Sequence, residues 1–219
     1  MSQIKKDAFV KKTLLYLGAV REGGKEALES EILACFEELE KEAAFRICYE
    51  KYALIKNKGG FFEIKELALL LPSKDLLDYF DGCDRVCVIC ATLGLAFERY
   101  MKKQQKMNMS HSVVLDAAAG AYLELMCDAV EEELSLGPRT YRFAPGYGDL
   151  PLELNAPLAE ALLTYKRIGV SHTGGGLFLP QKSMLGLIGL GREKKEKSCG
   201  SCVRKEDCFL RKEGTRCWM

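Results

Sequence analysis

The run Arg142-Phe143-Ala144-Pro145-Gly146-Tyr147-Gly148-Asp149-Leu150-Pro151-Leu152 has neither helical nor strand periodicity. It sets one fixed cation, one phenol and two closely spaced glycines around a proline. A loop of this composition can bring backbone amides, a guanidinium fork and an aromatic face onto one small molecule. Upstream of it, an alanine-rich helix running to about Leu134 ends before Gly137-Pro138, with Ser110 or Ser112 placed to cap its start. Downstream, Asn155 with Pro157 opens another helix.

Farther out, the pattern changes from segment to segment. Residues 8 to 18 form a short element stopped by Gly18. Leu28, Ile32, Phe36 and Leu39 recur at spacings of three and four, which predicts an amphipathic helix over 25–45. Residues 46–56 and 61–65 flank Lys58-Gly59-Gly60 and read as two strands joined by a glycine turn. Ser73 can cap a short helix through about Phe80, and Val86 to Gly94 reads as a buried strand. Residues 95–106 are helical in pattern, and Met184 to Leu190 forms a final strand. There is no internal repeat and no regular βαβ alternation. The fold class is therefore α+β: one domain over 1–191 with a mainly antiparallel twisted sheet flanked by helices, then a short Cys-rich tail over 192–219.

Composition narrows the function classes. The 219 residues carry 32 basic and 31 acidic side chains, a net charge of +1, so no global field draws nucleic acid or an anionic membrane. The first residues lack the apolar run of a signal peptide, and no stretch of about eighteen apolar residues occurs. The expected location is the cytoplasm. Ten cysteines in such a chain point to thiols or metal ligands rather than disulfides.

Four of those cysteines crowd the tail. Cys199, Cys202, Cys208 and Cys217 are separated by two, five and eight residues. Four thiolates close a tetrahedral zinc site or complete an iron–sulfur cluster, and a tail this poor in aliphatics needs such a staple to hold a shape. The alternative is a set of free thiols on a flexible tail. By contrast, Cys83, Cys87 and Cys90 read as small buried hydrophobes, because Cys87 and Cys90 point to opposite faces of a strand. His111 falls near a helix start. Gly174-Gly175-Gly176 lacks the following Lys-Ser or Lys-Thr of a phosphate loop.

Several further segments stand in a telling order. They are Cys90-Ala91-Thr92-Leu93-Gly94, Val114-Leu115-Asp116-Ala117-Ala118, Ile168-Gly169-Val170, Pro180-Gln181-Lys182-Ser183 and Ile188-Gly189-Leu190. Together with Arg142-x-x-x-Gly146-Tyr147, they resemble the activation domain of cobalamin-dependent methionine synthase from about Leu14 to Leu190. The resemblance is nearest to the short stand-alone bacterial subunits. It implies binding of S-adenosylmethionine through the Arg-x-x-x-Gly-Tyr motif. In that family a cobalamin oxidised to cob(II)alamin is restored by one electron and the methyl group of that ligand. The resemblance gives Arg142 the ligand's carboxylate, brings the backbone of Phe143 near the ligand and lets Gly146 approach closely. Tyr147 would bound the pocket and His172 would edge it. No residue here would be catalytic, because protein supplies orientation and the cofactor carries the chemistry.

The chain has no Asp-x-His-x-x-Gly segment to supply a cobalt ligand, so the cobalamin would arrive on a methionine synthase or another corrinoid protein. A reductase or flavodoxin-type protein would donate the electron. The chain would then be an accessory part of a methyltransferase in methionine biosynthesis. The alternative is an iron–sulfur or zinc redox or docking protein for a corrinoid partner, with a degenerate S-adenosylmethionine site. This sequence departs from the family at its carboxylates: Gly120 and Leu136 stand where the family has acids before the arginine, and Gly174 stands where the family's later Leu-Thr-Glu-Ser stretch, here His172-Thr173-Gly174-Gly175, has glutamate. Their loss would strip partners from the ligand's sulfonium or amino group.

Overall fold

Strand β4 (Arg85–Thr92) is buried on both faces, as a continuous apolar run in a central strand requires. In the computed structural model, which describes residues 4–19, 25–192, 206–212 and 214, it pairs antiparallel with β1 (Arg46–Lys56) on one side and β7 (Ser183–Leu190) on the other. The sheet continues outward from β1 through β2 (Phe62–Ile64) and β3 (Leu69–Leu71), in the order β3-β2-β1-β4-β7. All four pairings are antiparallel. The α+β expectation holds.

The pleat sends alternate residues of β4 into different cores. Ala91 joins a helical layer made by α1 (Lys6–Tyr16), α2 (Lys25–Glu42), α4 (Gly94–Met107) and α5 (Met109–Glu133). There Phe9, Phe36 and Tyr122 stack edge to face, with Phe9 and Phe36 centroids 4.9 Å apart. Buried Ala118, Ala119 and Ala121 let α5 lie close against its neighbours. On the opposite face Val86, Val88 and Cys90 meet Phe80, Phe143, Leu150 and Leu158, contributed by the segments around α3 (Lys74–Tyr79) and α6 (Asn155–Ala161). Cys87 packs instead with Ile89, Leu136 and Ile188. Cys87 and Cys90 thus divide between two apolar clusters, as the strand reading requires. Burial pushes the Cys87 thiol up to about 11, which leaves it an inert hydrophobe.

Local signals place most boundaries. Ser73 caps α3, its hydroxyl accepting from the Leu76 amide at 2.9 Å. The start of α5 differs from expectation. Asn108 caps it, accepting from the His111 amide, while its own amide donates to Gln104 and closes α4. One residue therefore ends one helix and opens the next, and Ser112 turns its hydroxyl back to the Met109 carbonyl. Past α6 the chain adds α7 (Thr164–Ile168) and a hairpin of β5 (Ser171–His172) and β6 (Phe178–Leu179). Among the described residues no helix is long and apolar enough to cross a membrane.

Of the tail thiols, Cys208 is described and half-buried, while Cys199, Cys202 and Cys217 lie outside the described residues. The expected metal knot therefore falls mostly outside them. Among the described residues no three His, Cys, Asp or Glu side chains are grouped to hold a metal.

Candidate functional site

The loop that opens on Arg142 begins as a strip along the free edge of β7. Arg139 bridges Leu190 and Phe143 bridges Leu187. Four steps of chain on the loop side, from 139 to 143, match three on β7, from 190 to 187, so the strip carries one extra residue, a bulge. Such an extra residue re-aims side chains at a sheet edge. Phe143 points into the core beneath α3, with its ring 5.4 Å from that of Tyr79. Arg142 points the other way and crosses Gly186 of β7 toward α5.

Beyond the strip the loop is pinned at two more points. Gly146 and Leu150 close a turn, the Gly146 amide donating to the Leu150 carbonyl at 2.8 Å. Gly146 holds φ 87°, a left-handed conformation that favours glycine. Asp149 sits on the N-terminus of α3, where its carboxylate accepts from the Lys74 amide at 2.8 Å and from the Ser73 hydroxyl. Burial pushes the Asp149 carboxyl up, but the bonds from Ser73, Lys74 and Asp75 outweigh it and hold the group below the usual aspartate value. Gly148 passes so close to Asp75 that a Cβ there would overlap its carboxylate.

Asp149 is the acid nearest to Arg142 in sequence, but its carboxylate is committed to α3. Arg142 pairs with α5. Its Nη1 donates to the Glu131 carboxylate, and its Nη2 lies 2.6 Å from Asp128 and 3.4 Å from the Glu124 carbonyl oxygen. The arginine side chain is 12% exposed, Glu131 7% and Asp128 50%. Burial alone would lower the Arg142 pKa, yet Glu131 and Asp128 carry it above the ordinary arginine value, so the guanidinium is always charged.

Glu124, Asp128 and Glu131 follow at steps of four and three, which puts them on one stripe of α5. The stripe extends to α1. Lys12 Nζ lies 2.5 Å from Glu124, and the Tyr16 hydroxyl donates to the same carboxylate. Burial pushes Glu124 up, and Lys12, Tyr16 and Arg142 more than offset it, leaving the group below its usual range. One turn earlier, Gly120 makes room for the Tyr16 ring: a Cβ there would stand 3.2 Å from Tyr16 Cε2.

Gly120, Leu136 and Gly174 stand in three different surroundings. Gly120 accommodates an aromatic ring, Leu136 is buried in the core beside β7, and Gly174 faces open space. Carboxylates nevertheless surround Arg142, supplied from farther along α5. Neither they nor Lys12 and Tyr16 were identified from the motif, although the spacing of the three acids was visible in the sequence.

The expected site residues are only partly brought together. Arg142, Phe143, Gly146 and Tyr147 share the loop. Phe143 uses both backbone groups on Leu187, its amide donating and its carbonyl accepting at 2.8 Å each. Tyr147 is 62% exposed, with its ring 6.1 Å from Phe143. His172 lies on β5, its Nε2 3.5 Å from Glu160 and its Nδ1 3.3 Å from the Thr173 carbonyl.

No family model matches the chain, and no curated protein matches it in sequence. Among solved structures it is similar to the MetH reactivation domain bound to AdoHcy, with a TM-score of 0.65 at 15% sequence identity. The likeness covers 97% of this chain and 83% of that one, and it is a likeness of fold.

Proposed function

We propose that this chain is a stand-alone reactivation module that holds S-adenosylmethionine and presents its methyl group to a cobalamin carried by another protein. The observation that carries the reading is the pairing of that fold with the Arg142-x-x-x-Gly146-Tyr147 loop. The fold matches a domain solved with AdoHcy along 97% of this chain. The loop is pinned to β7 and α3 with Tyr147 exposed beside it.

In this reading Arg142 takes the ligand's carboxylate, and Glu124 on the same stripe of α5 offers negative charge to its ammonium or sulfonium group. Tyr147 and Tyr16 wall the site with aromatic surface. The partner's corrinoid, with one electron from a reductase or flavodoxin-type donor, supplies the nucleophile. This chain supplies position and charge, the two means by which a protein without a nucleophile of its own accelerates transfer. The S–CH3 bond breaks, the methyl group leaves with the partner and S-adenosylhomocysteine remains.

Titration calorimetry of the whole chain with S-adenosylmethionine should show saturable binding that Arg142→Ala weakens about tenfold or more, the equivalent of about 1.4 kcal/mol. Absence of binding by the wild type, both alone and mixed with a cobalamin-loaded methionine synthase, would overturn the reading.

A further inference from the structure

The guanidinium that the ligand would need is already occupied. Glu131 holds Nη1 and Asp128 holds Nη2, and the arginine side chain is only 12% exposed. The two acids differ in what they can do. Glu131 is 7% exposed and buried beneath the strip, so moving it to water would require α5 and the strip to part. Asp128 is 50% exposed and can rotate into solvent at little cost. One nitrogen of the guanidinium is thus held by a buried acid, and the other by an acid that can leave.

From this, and resting on the proposed S-adenosylmethionine site, we infer that Asp128 is an internal competitor for the ligand carboxylate: it latches Arg142 while the site is empty and swings away when a carboxylate arrives. Glu131 is then a positioning residue that keeps the guanidinium aimed, and Asp128 sets how strongly a carboxylate must bind to take its place. A ligand carboxylate replaces Asp128 on Nη2 with charge and geometry conserved. The latch therefore favours adenosyl ligands that keep the amino-acid carboxylate over those that lack it.

The consequence has an unusual sign. Removing an acid from a site that binds a cationic sulfonium should ordinarily weaken binding. Here Asp128→Asn removes the competitor, so S-adenosylmethionine should bind about two- to fivefold more tightly, the range for a half-exposed ion pair. Decarboxylated S-adenosylmethionine makes no use of Arg142, so its affinity should not rise with the substitution. Asp128 is half-exposed and mid-helix, and circular dichroism of the variant would report any loss of fold.

Calorimetry of wild type and Asp128→Asn with both ligands separates the outcomes. Tighter binding of S-adenosylmethionine alone supports the latch. Unchanged or weaker binding by Asp128→Asn, with the wild type still binding, overturns the latch and leaves the proposed function standing. Tighter binding of both ligands overturns it too, because the gain then owes nothing to the carboxylate. Failure of both proteins to bind S-adenosylmethionine, alone and mixed with a cobalamin-loaded methionine synthase, overturns the latch together with the function on which it rests.

Discussion

Arg142 lies directly over Gly186: a Cβ on that glycine would stand 3.1 Å from Arg142 Cδ and 3.3 Å from Cγ. The glycine is therefore the floor on which the arginine stem crosses from the sheet edge to α5. Alanine there trades a tight contact against about 0.4–1 kcal/mol from a less flexible unfolded chain, and should be nearly neutral. Valine adds two more methyl groups beyond that already tight Cβ contact. It should lift the guanidinium off Glu131, leave that buried carboxylate unpaired and cost about 2–4 kcal/mol in urea unfolding. A Gly186→Val protein with an unchanged midpoint would show that the stem has room to move.

Asp149 ties the loop to α3 by accepting from two of its first amides and from Ser73. Its replacement by alanine should cost about 1 kcal/mol, the usual scale for a lost helix cap. The pH dependence follows from a carboxyl held below its ordinary value of 3.8. Such a group stabilises the fold above that value, and the stabilisation fades as pH falls through the lower folded value. The stability gap between wild type and Asp149→Ala should thus be full at pH 6 and close in acid, below 3.8. A gap that persists in strong acid would assign the effect to packing alone.

His111 joins α5 to α2 with one ring nitrogen on each of two acids: Nδ1 is 3.2 Å from Glu31 and Nε2 is 3.0 Å from Glu38. Tyr100 of α4 donates to the same Glu38, and buried Cys35 lies nearby with its thiol pushed up to about 12 by burial and by these two acids. Burial alone would lower the His111 pKa, but Glu38 and Glu31 raise it above the ordinary 6.5. A raised folded value gives stability that is full below 6.5, while both acids stay ionised, and is lost as pH rises through the folded value. NMR titration should place the imidazole above 6.5, and Glu38→Gln should bring it down. Unfolding of His111→Gln should differ most from wild type near pH 6 and least near pH 9. A ring that titrates at or below 6.5 would contradict the geometry.

Elements set by nearest neighbours were legible in advance. The Ser73 cap, the Lys58-Gly59-Gly60 turn and the buried run of β4 each depend on a few consecutive residues and emerged close to their expected bounds. The start of α5 was misplaced because Asn108 and the serines after it are all good caps, and the choice depended on where α4 ended. The hairpin of β5 and β6 is too short to leave a periodic signal.

The sequence alone determined that residues 142–152 form a loop with a cation, two glycines and a phenol at fixed spacing; the stripe of Glu124, Asp128 and Glu131 follows from the pitch of α5 once Met109–Glu133 is helical. Both are matters of covalent order and helical pitch. That the two meet was decided by the tertiary structure. One extra residue against β7 turns Arg142 away from Asp149, Gly186 opens its path, and the packing of α1 on α5 brings Tyr16 to an acid 108 residues away. Such contacts arise from the packing of distant segments and not from any local preference, so no motif around Arg142 carries them.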